Sequence, residues 1–409
     1  MGRIKVTLRM NSNHQKIEET LYRSLDNSAI TKDEAISLSK DIDKNIDALC
    51  SSASIIRDKG KGNKITFSPK VFIPLTQLCR DYCGYCTFRK DPEDVKNLYM
   101  SPEEILEVVK KGEKAGCTEA LFTLGERPEL RFEEAKIWLQ ERGYKTTLEY
   151  VTDMCKLVIE NSTLLPHANP GTMSKNELSE LKKYNASVGL MLESTSELLY
   201  QTGGPHEFAP SKRPIARIKT IQNAGELNIP FTTGLLIGIG ETLEDRIESL
   251  FEIRDLHNLY GNIQEVIIQN FRSKPNTPMS NKNDAETIDM LWTISMARLI
   301  LGPDMNIQAP PNLSSHNFEI YLDAGINDWG GVSPITIDYV NPESPWPTLT
   351  SLKDKTESKG FKLIPRLPIY PEYFIDTKKY LPEDIIENIS KISNNSGYVK
   401  EGINKYVSN

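Results

Sequence analysis

Apolar and polar residues follow two different periods along this chain. From residue 14 to about residue 60, apolar side chains recur at helical spacing, beginning with Ile17, Leu21 and Leu25. Beyond that point, short runs rich in β-branched residues alternate with longer amphipathic segments. The pattern predicts a helical N-terminal extension over residues 1–60, followed by repeated strand-then-helix units.

Eight runs have the length and composition of β-strands. They are "VFIPLTQL" (71–78), "EALFTLG" (119–125), "STLLPHANPG" (162–171), "ASVGLML" (186–192), "IPFTTGLLIGIG" (229–240), "EVIIQNF" (265–271), "MNIQAPPNL" (305–313) and "AGINDWGG" (324–331). Helices are predicted between them, with Ser101 and Thr242 as N-caps and Pro102 at a first helical position. Repeated βα units imply parallel strands, and eight units over roughly 260 residues have the length of a (β/α)8 barrel of the TIM type. A doubly wound α/β sheet is the alternative.

The predicted barrel occupies residues 61–340, and residues 341–409 are expected to form a C-terminal cap of Pro-rich turns and a terminal helix. In a (β/α)8 barrel the segments that follow the strands gather at one mouth. Polar and glycine-containing segments such as "CRDYCGYC", "GERPE", "HANPG" and "DWGG" follow the predicted strands. We therefore expect the functional residues to lie there.

Charge and composition narrow the class of partner. The net charge is −7, and Lys and Arg are spread along the chain, so the basic footprint of a nucleic-acid binder is missing. The N-terminus lacks an apolar signal region, and the glycine-rich stretch 228–240 is too short to cross a bilayer. These features predict a cytoplasmic protein that acts on a small molecule, without a nucleic-acid or membrane partner.

Three of the six cysteines, Cys79, Cys83 and Cys86, form a C-x3-C-x2-C cluster. The other three are isolated, which is unlike the framework of a secreted disulfide protein and favours a reducing compartment. A structural zinc site needs four ligands, and no further Cys or His follows within thirty residues, so zinc is disfavoured but stays open. A [4Fe–4S] cluster normally takes one Cys per iron, so three thiolates would leave one iron for an exchangeable ligand.

The cysteine stretch resembles the C-x3-C-x-aromatic-C motif of the radical S-adenosylmethionine superfamily, with Tyr85 at the aromatic position. The resemblance implies that Cys79, Cys83 and Cys86 hold a [4Fe–4S] cluster whose open iron binds S-adenosylmethionine. It also implies an external electron donor, whose electron cleaves the sulfonium to a 5′-deoxyadenosyl radical. The cofactors would carry the difficult chemistry, while the protein binds, orients and excludes solvent.

Three more segments resemble motifs of that superfamily. "TLGERPE" matches its Gly-Gly-Glu motif except that Leu124 replaces the first glycine, and "GLLIGIGE" matches its G-x-I-x-G-x-x-E motif except that Leu236 stands in the Ile place. "GLMLES" carries an acidic residue, Glu193, at a place that contacts S-adenosylmethionine in that superfamily. Taken alone, each also fits an ordinary strand end or a solvated helix face. The cofactor-binding residues implied by the resemblance are Tyr85, Gly125, Glu126, Glu193, Arg217, Leu236 and Gly238.

Nearly the whole chain beyond its first dozen residues resembles a narrower family, the first subunit of 7,8-didemethyl-8-hydroxy-5-deazariboflavin synthase. The segments that carry this resemblance include "FIPLTQLCRDYCGYCTFRKDP", "LFTLGERPE", "LPHANPG", "IQEVIIQNFRSKP" and "DWGGVSP". The family completes the chromophore of coenzyme F420. The resemblance implies a lyase that cyclises an adduct of tyrosine and a ribityl-aminouracil with loss of ammonia, the adduct being made by a tyrosine-coupling radical enzyme that acts as partner subunit.

Side-chain amides suit such a substrate, because each offers both donors and acceptors to hydroxyl and amide groups. The candidates at the predicted mouth are Asn169, Gln269, Asn270 and Asn312. Gln269 and Asn270 are neighbours on one strand, so only one of them can point inward. His167 and Asp328 are candidates for the acid or base in the loss of ammonia, although His167 also fits a core histidine.

Other functions stay open at this point. The radical chemistry also fits the tyrosine-coupling partner, a menaquinone-pathway enzyme or a sulfur inserter of the biotin-synthase type. From another class, a zinc-stabilised structural or RNA-interacting protein has three clustered cysteines too, but the acidic net charge argues against it.

Overall fold

The structure is a computed structural model that describes residues 12–26, 29–314, 316–375 and 379–404, with side chains from residue 17 onward. Expectations for residues 1–11 and 405–409 therefore lie outside the described residues. The described strands are β1 (Lys64–Thr76), β2 (Glu119–Leu124), β3 (Leu165–Asn169), β4 (Ser187–Gly189), β5 (Phe231–Ile237), β6 (Ile263–Asn270), β7 (Ile307–Gln308), β8 (Asp328–Val332) and β9 (Lys362–Pro365).

After the first three and before the last, the described α-helices lie between successive strands, except that two helices lie between β2 and β3 and short 3-10 turns stand in place of an α-helix between β7 and β8. They are α1 (Ser12–Leu25), α2 (Lys32–Leu38), α3 (Ile42–Lys61), α4 (Pro102–Lys114), α5 (Glu133–Gln140), α6 (Thr147–Asn161), α7 (Lys175–Lys182), α8 (Pro214–Glu226), α9 (Leu243–Tyr260), α10 (Thr287–Leu301), α11 (Leu349–Ser358) and α12 (Glu383–Ile392). None of these helices has the length and apolarity that a bilayer span requires.

Strands β1 to β8 close into a parallel barrel. The strand order is β2-β3-β4-β5-β6-β7-β8-β1, and β1 pairs with β2 to complete the circle. Each of the eight predicted runs overlaps one of these strands. The (β/α)8 prediction is confirmed, and closure rules out the doubly wound sheet.

Side-chain alternation along β1 separates the outer core from the barrel interior. Ile65, Phe67 and Val71 are fully buried in the hydrophobic layer beneath the helices. The residues between them point inward: Ser68 bonds the Glu119 carboxylate, and Lys70 lines a cavity. This is the period of two expected of a strand with two different faces.

The predicted N-caps form as the sequence indicates. Ser101 Oγ accepts a hydrogen bond from Glu104 N and begins α4, and Thr242 Oγ1 accepts one from Asp245 N and begins α9. In both cases the acidic residue bonds back to the cap, which satisfies donors that the first helical turn leaves free.

The N-terminal helices pack onto the barrel through long side chains. The Arg57 guanidinium from α3 donates to the carbonyls of Leu322 (2.6 Å) and Ile326 (3.2 Å), just before β8. Trp292 of α10 donates to the carbonyl of Leu38 at 3.4 Å. The domain boundaries at residues 60 and 340 stay predictions.

The C-terminal segment contains more structure than the sequence indicated. Strand β9 pairs in parallel with the first residues of β1, from Lys64 opposite Lys362 to Phe67 opposite Pro365. The next residue, Arg366, sends its side chain into the barrel, where Nη2 lies 2.7 Å from Glu265 Oε1 and Nε lies 2.6 Å from Asp328 Oδ2. The cap prediction missed α11 and β9, because β9 is short and ends at a proline.

Replacing Arg366 by Met should destabilise the barrel by about 3–5 kcal/mol, because the carboxylates of Glu265 and Asp328 would stay buried without their cation. Urea unfolding followed by circular dichroism measures this change. The control is Lys359→Met, which removes a solvent-exposed ion pair to Asp323 and should cost less than about 1 kcal/mol. Similar losses for the two variants would contradict a special role for the buried guanidinium.

Candidate active site

A cavity of about 350 Å³ opens at the carboxyl ends of the barrel strands. This volume lies within the range of small-molecule sites, and the position is the one that TIM-type barrels use for ligands. One side is formed by the cysteine loop that follows β1. The rest of the lining, which we call the deep end, carries side chains of strands β1, β6 and β7 (Lys70, Gln269 and Gln308) and of the loops after β7 and β8 (Asn312 and Trp346).

Backbone hydrogen bonds fix the cysteine loop to its neighbours. Arg80 N donates to the Glu126 carbonyl at 2.7 Å, Gly84 N donates to the Pro205 carbonyl at 2.7 Å, and Cys86 N donates to the Cys83 carbonyl at 3.1 Å. The loop therefore has a defined shape that is set by segments far away in the sequence.

All three clustered thiols are free and line the cavity. Burial raises the pKa of Cys79 to about 12 and raises that of Cys83 as well, while the Lys212 ammonium opposes the shift at Cys83. Within the described residues no three Cys, His, Asp or Glu side chains are grouped to hold a single metal ion. The donor set itself fits a cluster better than structural zinc, because zinc takes four closed ligands whereas three thiolates can each hold one iron of a [4Fe–4S] cluster.

Gly125 allows the cysteine loop to approach β2. A Cβ atom at this position would overlap the Leu78 carbonyl and the Cys79 side chain. The next residue, Glu126, donates its N–H to Cys79 Sγ at 3.2 Å. Its carboxylate is held by Thr172, through the backbone N at 3.0 Å and Oγ1 at 2.6 Å, although burial raises its pKa.

Charged side chains beside the thiols are paired with each other or with backbone. Glu193, which lies in the loop after β4 and has a positive φ of 66°, forms an ion pair with Lys212. Arg217 Nε donates to the Ser211 carbonyl at 3.1 Å, and its Nη1 donates to the Met191 carbonyl. These bonds hold two cations and a carboxylate at the rim of the cavity.

Tyr85 is the centre of an apolar patch at the same rim. Its hydroxyl shares a hydrogen bond of 3.0 Å with His206 Nε2, and burial lowers the pKa of His206 to about 2, so the imidazole is neutral. Leu236 and Ile239 lie in the apolar cluster against which Tyr85 packs.

The predicted amides Asn169, Gln269 and Asn312 all line the cavity. Asn312 Nδ2 donates to Asp338 Oδ2 at 2.9 Å and to the Ser344 carbonyl at 3.1 Å. Because both of its N–H groups are used in this way, only the side-chain oxygen is left for a ligand.

Comparisons with known proteins agree with this geometry. A family model described as the Radical SAM superfamily matches residues 73–253. The 7,8-didemethyl-8-hydroxy-5-deazariboflavin synthase of Methanopyrus kandleri is 52% identical over 336 residues, which are 82% of this chain and 100% of that protein. This chain belongs to the deazariboflavin synthase family of radical S-adenosylmethionine enzymes. Membership implies a [4Fe–4S] cluster and S-adenosylmethionine as cofactors.

One further relative and one solved structure mark the limits of the likeness. The FO synthase of Nocardia farcinica is 46% identical over 368 residues, which are 87% of this chain but 42% of that protein, so the chain spans less than half of that longer relative. The crystal structure of methylornithine synthase has a TM-score of 0.66 at 20% identity and covers 84% of this chain and 97% of that one. At this identity the likeness concerns the fold alone.

Four residues expected at the mouth of this family member do not line the cavity. Asp328 is fully buried in its ion pair with Arg366, and Asn270 lies on the opposite face of β6 from Gln269, where Nδ2 donates to the Leu313 carbonyl at 3.3 Å. The expectation that one of the Gln269 and Asn270 pair would face away is confirmed. Gly238 lies in a turn, where its N–H donates to Glu241 Oε1 at 2.7 Å.

His167 is the fourth, and it lies one layer below the cavity. Its ring shares hydrogen bonds with Ser187 Oγ at 2.6 Å and Asn169 Oδ1 at 3.2 Å, and burial lowers its pKa. Both nitrogens are therefore occupied. The bond to Asn169 orients that amide so that its NH2 group is free, which makes His167 a positioning residue in this geometry.

Sequence reasoning missed several cavity residues, notably Lys70, Gln308, Asp338 and Trp346. A lysine inside an otherwise buried strand was the available signal for Lys70, but the predicted strand began one residue later. The "WGG" segment lies within β8. Its glycines leave room for side chains, since Cβ atoms at Gly330 and Gly331 would overlap Gln308 and Lys70.

Gly125→Ala should displace the cysteine loop, because the new methyl group overlaps the Leu78 carbonyl. We expect iron and acid-labile sulfide after anaerobic reconstitution to fall to roughly half or less of the wild-type content. The control is Gly143→Ala, which also adds a methyl group but meets no atom of the described residues within 4 Å. Its positive φ costs about 1 kcal/mol of stability, yet its iron content should match wild type. Full iron content in Gly125→Ala would overturn the assigned close approach.

Proposed function

We propose that this protein cyclises the adduct of tyrosine and a ribityl-aminouracil, with loss of ammonia, to 7,8-didemethyl-8-hydroxy-5-deazariboflavin in coenzyme F420 biosynthesis. The observation that carries the proposal is one cavity with three free thiols at its rim and side-chain amides at its deep end. The full-length match to the Methanopyrus kandleri synthase supports the same reaction.

In this proposal Cys79, Cys83 and Cys86 hold the cluster and leave one iron for S-adenosylmethionine. When bound, the two cofactors would supply one-electron chemistry: S-adenosylmethionine is cleaved by an electron from the cluster, and its adenosyl fragment abstracts hydrogen from the substrate. The N–H of Glu126 that points at Cys79 Sγ supports this assignment, because hydrogen bonds to cluster sulfurs tune the reduction potential. Such a bond is also suited to a thiolate, which burial alone disfavours.

The rim residues would bind S-adenosylmethionine in the roles that the superfamily motifs imply. Glu193 and Arg217 carry opposite charges on the same side of the cavity, which suits an amino acid group with one ammonium and one carboxylate. The apolar patch of Tyr85 and Leu236 suits the adenine ring, and the neutral His206 holds Tyr85 in place.

The deep amides would bind the substrate. Asn169 presents donors, because His167 occupies its oxygen, whereas Asn312 presents an acceptor, because Asp338 and Ser344 occupy its donors. Together with Gln269 they supply the mixed donors and acceptors that a ribityl chain and a pyrimidine ring need.

A tyrosine-coupling radical enzyme as partner and an external electron donor complete the proposal. The adduct has to be supplied by a reaction that couples tyrosine to the aminouracil, and reduction of the cluster needs an electron from outside the chain. Contact with the partner is required only for as long as the adduct takes to pass to this site.

The test is an anaerobic assay of reconstituted protein with dithionite, S-adenosylmethionine and the adduct, analysed by mass spectrometry. We expect 5′-deoxyadenosine and the deazaflavin to form together. Formation of 5′-deoxyadenosine without deazaflavin would contradict the substrate, and neither product from protein with a full cluster would contradict the radical reaction.

Cys83→Ser should abolish both products, with a loss greater than about 10³-fold, because a hydroxyl is a poor ligand for iron compared with a thiolate. Cys117→Ser is the matched control, since Cys117 is also a buried free cysteine but bonds only the Lys70 carbonyl, at 3.4 Å, outside the cavity lining. It should retain iron and both products. Loss of iron from both variants, or from neither, would contradict the ligand assignment.

A further inference from the structure

Lys70 places a cation in the deep part of the cavity without a partner. Its side chain comes from the inner face of β1, and the residue is only 7% exposed. Within the described part of the chain its ammonium makes no hydrogen bond or ion pair, and it lies over the Trp346 ring, 4.9 Å from the ring centre. Gly331 leaves the space that the lysine side chain occupies.

A buried ammonium without hydrogen bonds is costly to the folded protein. The other buried lysine close to this region, Lys274, is satisfied, since Nζ donates to the Val340 carbonyl and to Asn341 Oδ1, both at 2.7 Å. Unlike those of Lys274, the three N–H donors of Lys70 are therefore available to a ligand.

Asn312 leaves a complementary acceptor in the same cavity. Its residue is 2% exposed and its Oδ1 has no hydrogen-bond partner, while Nδ2 is held by Asp338. Asp338 also lies close enough to Lys70 to favour its charged form. A strong donor and an unpaired acceptor thus belong to two residues that line the same cavity, with positions fixed by β1 and by the Asp338 contact.

We propose that Lys70 and Asn312 together bind the imide edge of the pyrimidine-dione ring, which substrate and product of the proposed reaction share. The Lys70 ammonium donates to a ring carbonyl oxygen, and Asn312 Oδ1 accepts from the adjacent ring N–H. The inference rests on the proposed function and adds to it the two residues that select this ring.

Two other cations of the cavity already have partners in the protein. Lys212 is paired with Glu193, and Arg217 is bonded to backbone carbonyls. Around Lys70, Glu119, Asp338 and Glu265 favour its charged form, while burial and Arg366 lower its pKa. Its cation is therefore lost at a lower pH than that of an exposed lysine, so binding of the ring should weaken as the pH rises into the alkaline range.

The first experiment measures binding of the deazaflavin product to the reconstituted protein by anaerobic calorimetry. Lys70→Met should weaken binding about 10- to 100-fold, as expected for loss of a hydrogen bond from a charged group. Affinity for S-adenosylmethionine should stay within about twofold of wild type. The melting temperature should be unchanged or higher, because an unpaired buried charge is removed, whereas Lys274→Met, the comparison variant, should lower it.

The second experiment needs no change at Lys70. Methylation of the product at the ring N–H removes the donor to Asn312 and should weaken binding to wild type about tenfold or more. Asn312→Leu should bind the unmodified product more weakly and lose most of the difference between the two ligands. An equal methylation penalty in both proteins would overturn the role of Asn312.

The outcomes separate this inference from the proposed function. If wild type makes the deazaflavin but Lys70→Met binds it with unchanged affinity, the inference fails and the function stands. If Lys70→Met mainly loses affinity for S-adenosylmethionine, or melts at a clearly lower temperature with unchanged affinity for the product, Lys70 serves the cofactor or the fold instead. If wild type neither makes nor binds the deazaflavin, the proposed function itself fails.

Discussion

The pairing of Arg366 with Glu265 and Asp328 is the contact on which both the barrel and its cavity depend. Two carboxylates face the interior of a closed sheet, where charge without a counter-charge is strongly destabilising. The guanidinium that neutralises them comes from the segment after β9, so the C-terminal segment completes the interior of the barrel. One consequence is chemical: Asp328 is committed to this pair and is not free to act on a ligand.

Above that pair, the polar groups at the rim of the cavity have hydrogen-bond or ion-pair partners, whereas some of those at the deep end do not. The cysteine loop, Glu193 and Lys212 are held by backbone bonds and ion pairs. Among the described residues, the Lys70 ammonium contacts aromatic rings but has no hydrogen bond or ion pair, and Asn312 Oδ1 has no hydrogen-bond partner. Groups that cost stability in the free protein persist where a ligand satisfies them. The hydrogen bonds and ion pairs of the rim fix its shape, whereas a bound molecule would supply the missing partners at the deep end.

The sequence predicted features that depend on neighbouring residues and missed those that depend on distant ones. The eight strands and the caps at Ser101 and Thr242 follow from local periodicity and capping chemistry, and the cysteine cluster is visible from its spacing. Nothing near Asp328 in the sequence indicates that residue 366 neutralises it. Likewise, whether an amide such as Asn270 faces inward depends on strand register. The alternation of residues shows that neighbours face opposite ways, but it does not show which of the two faces inward.

The position of each cavity residue explains why the sequence motifs indicate the cofactors more clearly than the substrate. The segments that resemble the superfamily lie in the loops after the strands and surround the place where the shared cofactors would bind. Lys70, Gln269 and Gln308 lie within β1, β6 and β7, deeper in the barrel. Substitution of a strand residue of this kind changes which ligand fits the cavity and leaves the loops unchanged. In the proposed function the cofactors are therefore held mainly by the loops of this protein, whereas residues of the barrel wall contact the substrate, and Lys70 is the wall residue that adds a positive charge to that contact.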